Sequence, residues 1–471
     1  PPVRAAIHDI QGSGSASPLA GARVITTGVV TVRKSNGFFL QAPDDQADAN
    51  PATSEGVFVF TSSAPPAAAA VGNSIEVTAG VAEYIPASDL ASPPLTELTD
   101  PVITVLSTGN PLPKAVTITA EYLRPEGGLE QLERFEGMLV LVPQMVVVGP
   151  GPSNVFFGTL SGVSRPLREP GVQVPDPLPP NAPPYIMRFD GNPERLRVAG
   201  VSGSVCTGMT ATNLTGALDY AFRTYTVQVD SGKLPALSGT CAATPAPAPA
   251  TDELTVATLN LLRFVAPVSA DRLTKAALAI RDVLRLPDIL AVEEVDTLST
   301  LESLAAKLNA GYKAFLEPGN DPSGINVGFL VKTSRLSITN VVQYGKEDRY
   351  TDAAGQQQVL HDRPPLVLRA TVQGLPLVVI ANHLRSLIDS DSTQVQYKRR
   401  AQAEALAGLI GAIGEFEPRT HILCVGDFNA FPFNDGYVDV LGTVMGKPAR
   451  PEQVVLPSPG GSPRPALTNL A

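Results

Sequence analysis

Tryptophan is absent from these 471 residues, charged side chains make up only 17%, and Cys occurs three times. No run of 18 uncharged apolar residues occurs, so no segment reads as a membrane-spanning helix. A basic surplus is also missing. Residues 1–253 carry 14 Lys/Arg against 23 Asp/Glu, and residues 254–471 carry 21 against 22, within a net charge of −10. A basic nucleic-acid clamp would show the opposite balance, so any polyanion contact must be local and metal-assisted.

What is present is 44% hydrophobic content, enough for well-packed cores, and 45 Pro. Abundant Pro with little charge suits a loop-rich, partly all-β protein. The length calls for two to four domains. Cys206 and Cys241 flank a stretch that a disulfide could close, which would imply an oxidising compartment. Cys424 lies inside an apolar run and reads as a buried free thiol. The chain starts at Pro1, which fits a removed export signal and equally a chain cut at that point.

The clearest boundary is AATPAPAPATDE, residues 242–253, an extended Pro/Ala spacer. Before it, short strands alternate with Gly and Pro turns, as in residues 22–32, 37–41, 56–61, 74–81, 138–148, 155–159 and 225–229. Such a pattern predicts small barrels or sandwiches. Gly21 and Gly137 each precede a β-branched run, hinting at two related modules over 1–110 and 111–241. After the spacer, strands alternate with helices. Ser269 can cap a helix whose Leu273, Ala276, Ala277, Ile280 and Leu284 share one face, and further helices are expected at 300–308 and 397–413. Residues 254–471 therefore read as a layered α/β domain.

Four apolar strands of that domain end in polar residues. They lead to Asn260, to Glu293 and Glu294, to Asn382 and His383, and to Asp427 and Asn429 in HILCVGDFNAFPF, residues 421–433. In α/β sheets, ligands collect outside strand ends. Convergence of these four would assemble carboxylates, carboxamides and one imidazole. That set suits a hard cation such as Mg²⁺ and argues against zinc, which favours thiolates and several His. The chemistry it supports is metal-assisted hydrolysis of a phosphate ester, with His383 protonating the leaving oxygen or stabilising the transition state.

VATLNLL (256–262), PDILAVEEV (287–295), NVGFLVK (326–332), RPPL (363–366), ANHLRSL (381–387) and GDFNAFPF (426–433) resemble, in that order, the exonuclease–endonuclease–phosphatase superfamily. IHDIQGSGSASPLAG (7–21), GFFLQAP (37–43), ATSEGVFVF (52–60) and ERFEGMLV (133–140) are similar to the OB-like leading domains of secreted bacterial nucleases. The resemblance implies all-β, OB-like modules followed by an α/β four-layer sandwich. It also implies an extracellular or periplasmic metal-dependent endonuclease that cleaves DNA, and RNA as a further substrate. Mg²⁺ would be the cofactor, with Mn²⁺ or Ca²⁺ as alternatives, nucleic acid the partner, and no protein partner is expected. Asn260 and Glu294 would hold the metal, His383 would be the acid-side histidine, and Asp427 and Asn429 would bind and orient phosphate and water. Glu293 stands where the family usually shows Gln. The family also has a terminal Asp–His pair beyond GDFNA, its His being the general base. No His follows His421 here. Two expectations stay open: a chain truncated at its carboxyl end, or a form lacking that base. A phospholipid or sphingolipid phosphodiesterase of the same superfamily is the alternative enzyme, and a catalytically impaired binding or scaffold protein the alternative of another class.

The remaining polar residues have plainer readings. Structural ion pairing of Glu294 and Asp427 with a nearby Arg or Lys is the competing account of these two, and Asn260 alone is an ordinary strand-end residue. His8, His361 and His421 read as structural or surface histidines. Arg363 and Arg385 could touch phosphate or sit in salt bridges, and Lys398 to Arg400 read as a solvated helix face. Asp44, Asp45, Asp48 and Asn50 do not match the EF-hand spacing and read as an exposed turn.

Overall fold

The computed structural model describes residues 1–163, 171–172, 178, 182–230, 234–459 and 467–470. The chain packs as two units, one comprising 1–167 with 190–242 and the other 168–189 with 243–471. No helix among the described residues is long and apolar enough to cross a membrane.

The first unit holds two closed barrels built alike. In one, strands Arg23–Lys34, Gly37–Gln41, Gly56–Phe60, Ser74–Tyr84 and Leu95–Ser107 close in the order first, second, third, fifth, fourth and back to the first. The third and fifth run parallel; the other pairs are antiparallel. Strands Leu139–Pro150, Val155–Leu160, Leu196–Ala199, Thr210–Ala221 and Thr224–Val229 repeat that order and those directions. The glycines before each first strand play one part: Gly21 N donates to Val81 O at 2.9 Å and Gly137 N to Leu218 O at 2.7 Å. Both acceptors lie on the fourth strand of their own barrel, so the two barrels share this contact as well as their strand order. Cys206 and Cys241 are joined in a disulfide.

Several carboxyls are buried in this unit. Burial pushes Glu97 and Glu133 up to about 7 and Glu136 well above the carboxylate range. Each keeps a proton in the folded unit that the unfolded chain releases between the ordinary carboxylate range and pH 7. The folded state thus binds more protons in that window, and stability falls as pH rises through it. The first unit's thermal transition, recognised by its sensitivity to disulfide reduction, is expected to lie about 5 °C higher at pH 5 than at pH 8 in scanning calorimetry. An unchanged or reversed order would contradict this.

The second unit is four layers. One sheet orders Val256–Phe264, Ile289–Val295, Asn326–Lys332 and Tyr312–Leu316; the other orders Ser337–Gln343, Leu366–Val372, Leu375–His383 and His421–Asp427. Their inner faces share a core that includes Ile289, Phe329, Leu368 and Val379. Helices cover both outer faces. Ala277, Leu301 and Leu304 pack on Leu290 and Val292 of the first sheet, while Ala403, Leu406 and Ile410 pack on Val378 and Ile380 of the second. The sequence dictates these helices locally. Ser269, Thr297 and Ser392 cap helices Ala270–Leu278, Leu298–Leu308 and Thr393–Phe416 by accepting from backbone N–H groups. Of the excursion 168–189, Val172 is fully buried and Leu178 and Ile186 are half-buried, packing with Tyr437 and Val438 although they fall inside the stretch expected as the second β-rich module.

Candidate active site

The two sheets bring four strand ends together. Asn260 sits where pairing of Val256–Phe264 with Ile289–Val295 shifts register, between Asn260 and Phe264. Leu262 and Arg263 adopt φ of 49° and 53°, and Leu262 N donates to Asn260 Oδ1 at 2.8 Å. Glu294 marks a second irregularity, with φ 65° and a register shift between Glu293 and Val295. Left-handed backbone at a non-glycine residue costs about 1–3 kcal/mol and persists where the surroundings enforce it. Its effect here is to send two adjacent glutamates to different places.

Glu294 turns to the site, where Oε2 accepts from Arg263 N at 2.7 Å. Asn260 Nδ2 then donates to Glu294 Oε1 at 3.1 Å and to Asp427 Oδ2 at 3.0 Å. One carboxamide therefore ties the ends of three strands. Its oxygen accepts from Leu262 N–H, while its amide nitrogen spaces the two carboxylates.

Asp427 and His383 end two parallel strands in register with each other. That register depends on Gly426, whose φ is 125° and whose Cβ, if present, would lie 2.0 Å from Asn382 O. His383 is buried, and its Nε2 lies 3.8 Å from Asp427 Oδ2. Burial, then the Arg363 guanidinium, pushes its imidazole down to about 4, so it is neutral at pH 7. A neutral ring donates a hydrogen bond to a phosphoryl oxygen; it has no extra proton to deliver. Asn429, at φ 47°, donates from its backbone N to Asp427 Oδ1 at 2.9 Å and from Nδ2 to Leu384 O at 3.0 Å. It thus fixes the Asp427 carboxylate and the segment after His383. Asn382 is buried and donates to Val425 O at 2.6 Å, bracing the strand pair.

Glu293 goes inward. It is 1% exposed, accepts from Thr258 Oγ1 at 2.8 Å, and burial raises its carboxyl to about 8. A neutral carboxylic acid has the shape and hydrogen-bonding pattern of a carboxamide. Glu293→Gln is therefore expected to change cleavage rate by less than about twofold and stability by less than about 1 kcal/mol. A large loss of activity in steady-state kinetics would show that Glu293 works as an anion.

Two arginines hold this arrangement. Arg363 pairs with Asp321 at 2.6 Å and donates to the carbonyls of His383 and Leu384, so its role is structural support of the histidine segment. Arg399 corrects the expectation of a solvated face at Lys398–Arg400. It is 2% exposed, pairs with Asp435 at 2.8 Å, and donates to Arg385 O and Asn429 O. A signal for it existed: Arg399 shares the helical spacing of the buried Ala403, Leu406 and Ile410. His361 is buried and His421 exposed, neither in the site. Cys424 is a free, half-buried thiol, less enclosed than the sequence suggests, packed where the helix Thr393–Phe416 covers the second sheet. In the first unit, the exposed turn does hold Asp44, Asp45, Asp48 and Asn50; ligand atoms of His8, Asp48 and Glu55 lie within 4.8 Å of one another.

The site fits a divalent cation. Glu294 and Asp427 are drawn to one amide, and among the described residues neither is ion-paired to Lys or Arg; the ionisable neighbour of Asp427 is His383. Two carboxylates held by neutral N–H donors, with no Lys or Arg paired to them among the described residues, suit a hard cation that keeps its waters.

Residues 257–444 match the model of the Endonuclease/Exonuclease/phosphatase family, and residues 88–238 match a domain of unknown function, DUF8508. No curated protein matches the sequence. Among solved structures, humanized D. rerio TDP2 carrying 14 mutations is 19% identical, over 38% of this chain and 67% of that one, with a TM-score of 0.28. D. rerio TDP2 complexed with single strand DNA product is 18% identical over 42% and 66%, with a TM-score of 0.29. The human Nocturnin catalytic domain with bound sulfate is 19% identical over 39% and 67%, with a TM-score of 0.30. Scores this low add no weight to the family match. Residues 257–444 thus carry the sequence pattern of the endonuclease/exonuclease/phosphatase family on a four-layer α/β domain.

Proposed function

We propose that this protein is an extracellular, divalent-metal-dependent phosphodiesterase that cleaves nucleic acid, DNA first and RNA as a further substrate. The observation that carries the reading is the single Asn260 carboxamide joining Glu294 and Asp427 beside the neutral His383. Glu294 and Asp427 would hold the cation, Mg²⁺ or Mn²⁺. Bound there, it would offset negative charge on the phosphoryl oxygens. His383 donates an N–H to a phosphoryl oxygen, and Asp427, whose side chain is 31% exposed, orients the attacking water. Asn260 and Asn429 keep both carboxylates in place. The Cys206–Cys241 disulfide supports an oxidising compartment. The two barrels' shared closure order supports OB-like leading modules.

A phospholipid phosphodiesterase is the second reading, favoured by one observation. Leu262 and Ile388, near Asn260 and His383 in the chain, are 71% and 70% exposed, as a lipid-inserting rim would be. Incubation with supercoiled plasmid and with phospholipid vesicles, in Mg²⁺ or Mn²⁺ and with excess chelator, separates the two. Metal-dependent plasmid nicking is expected, abolished by chelator. Headgroup release without nicking would favour the lipid reading, and neither activity would favour a binding protein.

A further inference from the structure

The first unit contains a cleft that the phosphodiesterase reading does not use. It lies between the two barrels, has a volume of about 460 Å³, and is walled by Phe58, Phe60, Tyr84 and Phe222 over the carboxylates of Glu97 and Asp219. We propose that this cleft binds an organic cation, an alkylated ammonium or a guanidinium, free or at the end of a peptide side chain.

Its volume suits a small ligand. The two carboxylates are 8% and 2% exposed. Asp219 Oδ2 takes Lys34 Nζ at 2.6 Å, yet Oδ1 meets no donor, and no hydrogen bond among the described residues reaches the Glu97 carboxylate. A buried acceptor left without a donor is costly. Lys34 meets Asp219 Oδ2, and the Arg197 guanidinium acts on Asp219 through its charge alone, so what Asp219 Oδ1 and the Glu97 carboxylate lack is a hydrogen-bond donor. Burial holds Glu97 near 7, so a cation beside it would draw off its proton.

The walls supply the rest. Lys34 Nζ already lies 4.7 Å from the Phe58 ring centroid and 5.9 Å from that of Phe39, so these aromatic faces accept a cation in place. Tyr84 and Phe222, 51% and 80% exposed, are the exposed aromatics of the lining, and the Arg197 guanidinium lies 5.2 Å from the Phe222 ring centroid, a further aromatic face here that accepts a cation. The unit is acidic as well, with 12 Lys/Arg against 19 Asp/Glu over residues 1–167 and 190–242. Phosphate-bearing ligands would meet the wrong sign, so nucleic-acid backbone does not fit this cleft.

Saturation-transfer NMR on the full chain tests the assignment with tetramethylammonium, ethylguanidinium, Gly-Arg-Gly, Gly-Glu-Gly and adenosine. Saturation of the cations and of Gly-Arg-Gly, but not Gly-Glu-Gly, is expected. Tyr84→Ala, Phe222→Ala and Glu97→Gln should each weaken binding by about fivefold or more. The two aromatic positions are exposed, so those variants should melt like the parent. Plasmid cleavage should be unchanged in all three, which separates failure here from failure of the enzymatic reading. Preference for free cations over the peptide would identify a small-molecule site, and the reverse a peptide-binding one. No saturation, equal saturation in the variants, or adenosine binding more tightly than any cation would overturn the proposal.

Discussion

Replacing Glu294 by glutamine is expected to lower metal-dependent phosphodiester cleavage by about three orders of magnitude, with little change in melting temperature. Glu294 is held at φ 65° by the register shift around it, and its two oxygens are fixed by Asn260 and Arg263 N. Glutamine keeps the volume and one oxygen acceptor but removes the charge that a cation would need. The loss should fall on kcat and on metal affinity together, and raising Mn²⁺ should recover part of it. A structural ion pair would behave differently. Removing its charge would shift stability and leave the metal dependence of the residual rate alone. Activity as a function of Mn²⁺ concentration, for parent and variant, decides between them.

Arg399→Met is expected to cost about 3–5 kcal/mol, because it leaves Asp435 buried without its partner. Asp435 cannot simply turn outward, since Oδ1 also accepts from Tyr437 N and Val438 N at 2.9 and 2.8 Å. The guanidinium further anchors Arg385 O and Asn429 O, so activity should fall even below the melting transition. Adding Asp435→Asn to Arg399→Met removes the stranded charge while keeping the acceptor. The double variant should recover part of the lost stability but not the activity, since the carbonyl anchors stay unmade. Urea unfolding measures the first effect and steady-state kinetics the second. Stability losses that simply add in the double variant would contradict the charge-pair account.

The strand ends were legible because each combines two local signals: an apolar run and a polar residue where it stops. Ile289–Val292, Leu377–Ala381 and Ile422–Val425 fall within strands of the sheets that meet at the site, and Thr255–Leu259 does so from Val256 onward. The helices were legible for the same reason, through caps and spacing. Harder to see were features whose partners lie far along the chain. Arg363 with Asp321 and Arg399 with Asp435 are separated by 42 and 36 residues, so even where helical spacing places Arg399 on a buried face, nothing local names the carboxylate that pairs with it. Leu95–Ser107 escaped because Asp100, at φ 50°, and Pro101 interrupt its β pattern. The packing of Val172 and Ile186 with the second unit likewise depends on a surface that another part of the chain builds. The different fates of Glu293 and Glu294 also depend on the bulge, not on their shared composition.

Anomalous scattering from Mn²⁺ soaked into crystals of the full chain tests most directly whether the strand ends around Glu294, His383 and Asp427 form one cation site. A peak bonded to the Glu294 carboxylate, at about 2.0–2.4 Å, is the result expected. A peak confined to His8, Asp48 and Glu55, or none in crystals of a preparation that cleaves plasmid with Mn²⁺, would contradict it.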